Sequence, residues 1–164
     1  MRTPRTAAAA ITLLAGLGFP AHAAEKGNPM TLSARGPFDV KVAPLAQESN
    51  PGGNALGRYS LDKQYHGELE ATAKGEMLTV GTPVDGSAAY VAVERVEGTL
   101  GGRRGSFAMQ HSATMGHGSH QMTITVVPDS GTGELVGLSG RLEIVIAEGG
   151  KHSYVFDYSL PEKR

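Results

Sequence analysis

The stretch YVAVERVEGTL (Tyr90–Leu100), GGRRG (Gly101–Gly105) and SFAMQHSATM (Ser106–Met115) decides the fold. Two runs that alternate apolar and polar residues flank glycines set around an arginine pair. Alternation of period two describes a strand with one buried face, and glycine accepts the positive φ that tight hairpin turns demand. With Gly102 and Arg103 as the turn, opposed positions sum to a constant: Gly98 faces Phe107, Val96 faces Met109 and Glu94 faces His111. Tyr90, Ala92, Glu94, Val96, Phe107, Met109 and His111 then share one largely apolar face, which carries an acid and an imidazole into the interior. A turn shifted by one position on each strand puts Glu94 opposite Met109 instead.

Outward from this hairpin, strand signals recur at short intervals, separated by Gly, Pro and Asn clusters, with no helical period. Phe38, Val40 and Val42 alternate with Asp39 and Lys41, and Ala43–Ala55 reads as a long loop around Asn50-Pro51-Gly52-Gly53. Tyr59, Leu61 and Tyr65 lead through a His66-Gly67 corner to Leu69, Ala71, Ala73 and Met77, a second hairpin. After the central hairpin, Gly116–Ser119 reads as a flexible connection, and Met122, Ile124 and Val126 form the next apolar row. Pro128–Gly131 has the residues of a β-turn; Leu142, Ile144 and Ile146, then Tyr154, Phe156, Tyr158 and Leu160, complete the set. About eight strands joined mostly by hairpins predict an all-β chain, a single antiparallel eight-stranded barrel, with a sandwich as the alternative.

The first residues read differently. Arg2 and Arg5 precede an apolar run, Ala7–Phe19, and Ala21-His22-Ala23 has the small-x-small pattern of a signal peptidase site. The run is shorter than the roughly 18 apolar residues needed to span a bilayer. Residues 1–23 are therefore expected to be a secretory signal peptide, with cleavage after Ala23 or, next, Ala24. Residues 24–35 are expected to be a flexible leader, 36–161 the barrel and 162–164 a tail. The chain has no cysteine, which excludes a lipid-anchored lipoprotein and disulfide staples. Of 15 basic and 16 acidic side chains, Arg2 and Arg5 leave with the leader, so 13 stand against 16 in the mature chain. That balance argues against nucleic acid and anionic membrane as partners. Export to a periplasm or beyond, with no membrane span after cleavage, is the expectation.

The runs GRYSLDKQYHGELEATAKGEML from Gly57, GSAAYVAVERVEGTL from Gly86, GSFAMQHSATM from Gly105 and VVPDSGTGELVGLSG from Val126 carry a resemblance. Across roughly Ala34 to Pro161 the chain resembles the bacterial domain-of-unknown-function family numbered three thousand two hundred and twenty-four. The resemblance implies a compact barrel similar to that of plant allene oxide cyclase. It brings no established activity, and no catalytic residue is carried over from it.

From the residues themselves, Glu94 and His111 are the sharpest pair. Burial raises a carboxyl's pKa while a neighbouring imidazolium lowers it, so the pair is a candidate proton shuttle; the plainer reading, a satisfied cross-strand pair that only fixes register, carries more weight. Tyr59, Lys63, Tyr65, Tyr90, Met109, Tyr154, Phe156 and Tyr158 share the inward parity and are expected to line a ligand-binding lumen. The spacing of His111, His117 and His120 matches no compact zinc motif, so no metal site is expected. Gly131-Thr132-Gly133 precedes a strand, not a helix, and is no dinucleotide loop. No cofactor signature is present.

Three function classes follow. The leading expectation is a binding protein for a small apolar or amphipathic molecule. The second is a cyclase or isomerase type of enzyme in which Glu94 and His111 move a proton. The third is a structural or interaction module with a filled barrel, and the sequence leaves assembly as a homo-oligomer open.

Overall fold

The computed structural model describes residues 31–161. The expected signal peptide, most of the leader and the tail lie outside these residues. Eight antiparallel strands close into one barrel, each paired with its neighbours in sequence and β8 paired back onto β1. They are β1 (Leu32–Gln47), β2 (Ala55–Tyr65), β3 (Leu69–Gly81), β4 (Ala88–Leu100), β5 (Arg103–Gly116), β6 (Ser119–Val126), β7 (Ser139–Ile146) and β8 (His152–Ser159). Among the described residues the only helical element is a single 3-10 turn, Gly133–Leu135. No described helix is long and apolar enough to cross a membrane, which says nothing of strands.

The central hairpin forms in the shifted register. Leu100 pairs with Arg103, so Gly101 and Gly102 make the turn, at φ of 54° and 77°. Both central residues of such a turn need positive φ, which glycine takes freely and Arg103 does not. Glu94 therefore opposes Met109, and Ala92 opposes His111, correcting the Glu94–His111 opposition. A shift of one position on each strand moves the opposed pairs without changing which face a side chain occupies, so the expected inward set stands.

Strand β1 is longer than its apolar alternation suggests. It starts at Leu32, so residues 32–35 of the expected leader pair with β8, Leu32 opposite Tyr158. It also runs on through the expected loop to Gln47, with a register shift between Pro44 and Ala46. A bulge there lets a proline without an N–H and an exposed leucine pass along β2 without breaking the pairing. The expected flexible connection at Gly116–Ser119 is a tight turn, with His117 and Gly118 at φ of 51° and 72°.

The two ends of the barrel differ. The β2–β3 corner, the β4–β5 turn and the β6–β7 connection meet at one end, which is solid. Leu69, Leu100, Leu135, Leu138, Phe107, Phe156 and Tyr158 are all buried there, Phe107 and Phe156 stacking at 5.8 Å. The 3-10 turn carries Leu135 over this end. The connection that holds it continues along the edge of β5: Ser106 N–H donates to Thr132 Oγ1, Thr132 N–H to the Ser106 carbonyl, and Ala108 N–H to Ser130 Oγ. Strands β6 and β7 share one bridge, Thr125 to Arg141, so this connection takes over where the ladder stops. Tyr154 ties β8 to the same end, accepting from Leu69 N–H at 2.8 Å and donating to the His66 carbonyl at 3.0 Å.

Removing the leucine that covers the closed end opens a cavity in a packed core, which typically costs about 2 to 5 kcal/mol. Leu135→Ala is expected to lower unfolding stability in urea by that amount. Val93→Ala, on the exposed outer face, is expected to stay within about 0.5 kcal/mol of the parent.

Candidate functional site

The other end of the barrel holds a hollow. Every strand contributes to a cup of about 190 Å³: Phe38, Val40 and Val42 from β1, Leu61 and Lys63 from β2, Met77 from β3 and Tyr90 from β4. His111 from β5, Met122 from β6, Ile144 and Ile146 from β7, and His152 from β8 complete it. Larger hollows, of about 500 and 470 Å³, lie on the outer face around Leu56, Leu78 and Val91. They carry none of the buried titratable side chains except an edge of His111, and the cup is the hollow into which the inner face points.

Four polar side chains meet beneath the cup. Glu94 is 2% exposed. Its Oε1 accepts from Tyr65 Oη at 3.0 Å and from His111 Nε2 at 3.1 Å. Lys63 Nζ lies 2.9 Å from Oε2, off the line of a good hydrogen bond, so that contact is chiefly ionic. Lys63 also donates to Tyr65 Oη at 3.3 Å and sits over the rings of Phe38 and Tyr65. Glu94 and His111 meet on the diagonal, since each is opposite the other's neighbour along the inner face.

Room for the Glu94 backbone and Cβ comes from β3. Gly75 is the residue opposite Glu94, and a Cβ there would stand 2.7 Å from Glu94 Cβ and 2.2 Å from the Val93 carbonyl oxygen. Any larger residue displaces the strand or the acid.

The electrostatics follow from these contacts. Burial pushes the Glu94 carboxyl up, but the His111 hydrogen bond and the Lys63 charge outweigh it and hold the group at about 2. An acid held there is ionised near neutrality. Burial first, then the Glu94 charge, pushes the Tyr65 phenol well above its ordinary value, so it stays a donor. Glu94, as a carboxylate, only accepts; His111 Nε2 must therefore carry the proton it donates.

Of the lumen-lining expectations, Lys63 and Tyr90 stand in the cup wall, with His111. Tyr65 and Glu94 lie just beneath it, as buried partners of wall residues. Met109, Tyr154, Phe156 and Tyr158 are packed in the core instead, and Tyr59 bonds Gln47 Nε2 in a separate hollow beside the β1–β2 connection. Inward parity places a side chain inside the barrel without saying at which level, and these four sit toward the solid end. Among wall residues, His152 was not singled out. Its parity with Tyr154, two residues on, is the signal that marks it. His117 and His120 are exposed at the β5–β6 turn, away from the buried His111.

Comparison with known proteins agrees with this architecture. The family described as "Protein of unknown function (DUF3224)" matches residues 34–158. A crystal structure of a protein of unknown function from that family, from Shewanella oneidensis MR-1, is 46% identical, with a TM-score of 0.75. The match covers 82% of this chain and 100% of the other. Among curated proteins none matches.

Two predictions follow from the polar cluster. A group depressed in the folded state adds stability that is present above its unfolded pKa and lost as pH falls through its folded pKa. For Glu94 that window runs from its ordinary 4.5 down to about 2, and the shift corresponds to about 3 kcal/mol. Removing one partner of a buried ion pair costs about 3 to 5 kcal/mol. Glu94→Gln is therefore expected to be that much less stable than the parent in urea at pH 7, with the gap narrowing below pH 4.5. A constant gap from pH 7 to 3 would contradict the assignment. Overpacking Gly75 with valine is expected to destabilise by about 1 to 3 kcal/mol, and Glu94→Ala, which keeps the Cα and Cβ that the new side chain meets, is expected to leave most of that cost in place, as a double-mutant cycle would record.

Proposed function

The chain belongs to the DUF3224 family of proteins of unknown function, and from that premise we propose that it is a binding protein that holds one small, largely apolar molecule in the cup. The observation that carries this reading is the convergence of all eight strands on one apolar hollow whose floor presents buried polar side chains. Small-molecule sites have this composition, many apolar walls and a few placed polar groups. At about 190 Å³ the cup lies below the roughly 300 to 1,000 Å³ of sites for drug-sized ligands. Its occupant is correspondingly small.

The proton-shuttle alternative draws less support. A carboxylate held at about 2 keeps no proton near neutrality, and Glu94 does not reach the cup wall. Its contacts suit holding Lys63 and His111 in place. The filled-barrel alternative accounts for the closed end and not for the open one. In the same proposal, residues 1–23 deliver the protein to the periplasm or beyond, an export that rests on the Arg2, Arg5, apolar-run and Ala-His-Ala pattern.

The test is native mass spectrometry of the full chain expressed with its leader and purified gently from the periplasm. A mass excess that is released on denaturation as one small organic species is expected. Ile144→Trp puts an indole into the cup and is expected to lose that excess while remaining folded. Retention of the same species by the tryptophan variant would place the ligand elsewhere.

A further inference from the structure

We propose that the chain pairs with a second copy of itself through the outer face of β3 and β4, in a two-fold dimer. The inference concerns the outside of the barrel and holds whether or not the cup carries a ligand. It starts from a change of character along two strands. The outward positions of β3 run through Glu70, Thr72, Lys74 and Glu76 and then turn to Leu78 and Val80. Those of β4 run from Glu97 and Arg95 to Val93, Val91 and Ala89. An antiparallel sheet with water on its outer side keeps that side polar. Here one half is charged and the other apolar, with Leu56 54%, Leu78 57% and Val91 54% exposed.

Strand register gathers these residues into a patch. Leu78 stands between Arg58 and Val91, in a row that continues to Ser112 and Thr123. The next row joins Leu56, Val80 and Ala89 and continues to Thr114 and Gln121. Arg58 is the one charge in these two rows, and both oxygens of Glu76 hold its guanidinium, at 2.8 and 2.9 Å. Glu76 belongs to a third row, which rims the patch: Val93 is followed there by Gln110, which donates to Thr125 at 3.3 Å. An apolar centre inside a satisfied polar rim is the anatomy of an interaction site.

Shape, charge and area select a second copy as the occupant. The row of Leu78 and Val91 is shared by two hollows, one of about 500 Å³ on the side of Leu56 and Val80, the other of about 470 Å³ on the side of Glu76 and Val93. A two-fold axis normal to the face, passing between this ridge and one hollow, seats each copy's ridge in the other's hollow. Such a contact is self-complementary and closes at two subunits. The ion pair of the patch is matched internally, so an identical face meets no uncompensated charge. The row beyond it, with Asp62, Lys74 and Arg95, mixes both signs and offers no basic stretch to an anionic lipid surface. Each outward residue covers about 32 Å² of sheet, the rise of two residues by one strand spacing. Three rows across five strands present about 500 Å² in projection, so pairing removes about 1,000 Å² or more, the lower bound for a specific interface.

The experiment is sedimentation velocity over a range of concentrations, on the chain expressed with its leader and purified from the periplasm. A monomer–dimer equilibrium is expected, with a dissociation constant on the order of 10 µM for an interface at the small end of the range. Val91→Arg puts like charges into the desolvated centre and is expected to weaken the dimer by about a hundredfold or more while the barrel stays folded. Val145→Arg, at a 49% exposed outward position of β7 away from the patch, is expected to leave the dimer unchanged. Mixing Val91→Lys with Val91→Glu is expected to restore a dimer that neither forms alone, since two-fold symmetry sets the two substituted faces against each other. Should Val91→Arg unfold, Leu78→Lys takes its place. A parent that stays monomeric up to about twenty times that constant, or a dimer that Val91→Arg leaves intact, would overturn the proposal. Assembly beyond two subunits, or no rescue in the mixture, would overturn the two-fold contact. A monomer that instead sediments with phosphatidylcholine vesicles would give the face to a lipid surface and overturn pairing.

Discussion

A carboxylate inside a barrel cannot remain without partners, and the burial of Glu94 organises the middle of this one. Desolvation alone would make an isolated ionised acid there very unfavourable. Here the charge is met from two strands, by Lys63 and Tyr65 on β2 and by His111 on β5, while Gly75 on β3 leaves room for the Glu94 Cβ and backbone. Each member limits what its neighbours can do. Tyr65 is kept as a donor, His111 has its Nε2 proton assigned, and Lys63 has its ammonium anchored over two aromatic rings. The groups left facing the hollow are therefore positioned by contacts on its far side.

The same cluster divides the barrel into two halves of different character. Below it, aromatic and leucine side chains fill the space, and the β6–β7 connection lays Leu135 across the end and satisfies the edge of β5. Above it, aliphatic and methionine side chains stop short of the axis and leave the cup. A barrel of eight strands is at the size where either outcome is reached, a filled interior or room for one small ligand, and this chain does one at each end. The solid half is a rigid base for a site whose polar atoms must be held in place before a ligand arrives.

Much of the fold was legible because strand alternation is a local property. The inward identity of Glu94, Val96, Phe107, Met109 and His111 follows from period two and survives the shift in register from a Gly102-Arg103 turn to Gly101-Gly102. The positive φ of the turn was equally legible in kind, although the glycine pair that took it was not the one first expected. Strand β1 was underestimated at both ends: Leu32 and Ala34 alternate with Ser33 and Arg35, but Gly36-Pro37 interrupts the run, and residues 43–47 lack alternation and are held extended by pairing to β2, which no local pattern contains.

By itself, then, the sequence determined an all-β chain, the faces of its strands, the absence of disulfides and the presence of an acid and an imidazole indoors, since each of these depends on neighbours in sequence. Tertiary structure alone decided depth. Tyr154, Phe156, Tyr158 and Met109 have the same parity as Lys63 and Tyr90, yet the former fill the closed half and the latter line the cup. Level along the barrel axis is set by the stagger of strands far apart in the chain, and that stagger is a property of closure, which a single strand does not carry. Closure likewise brought Lys63 to Glu94 from β2 and His152 to the wall from β8, assembling from four strands a site whose members share no local motif.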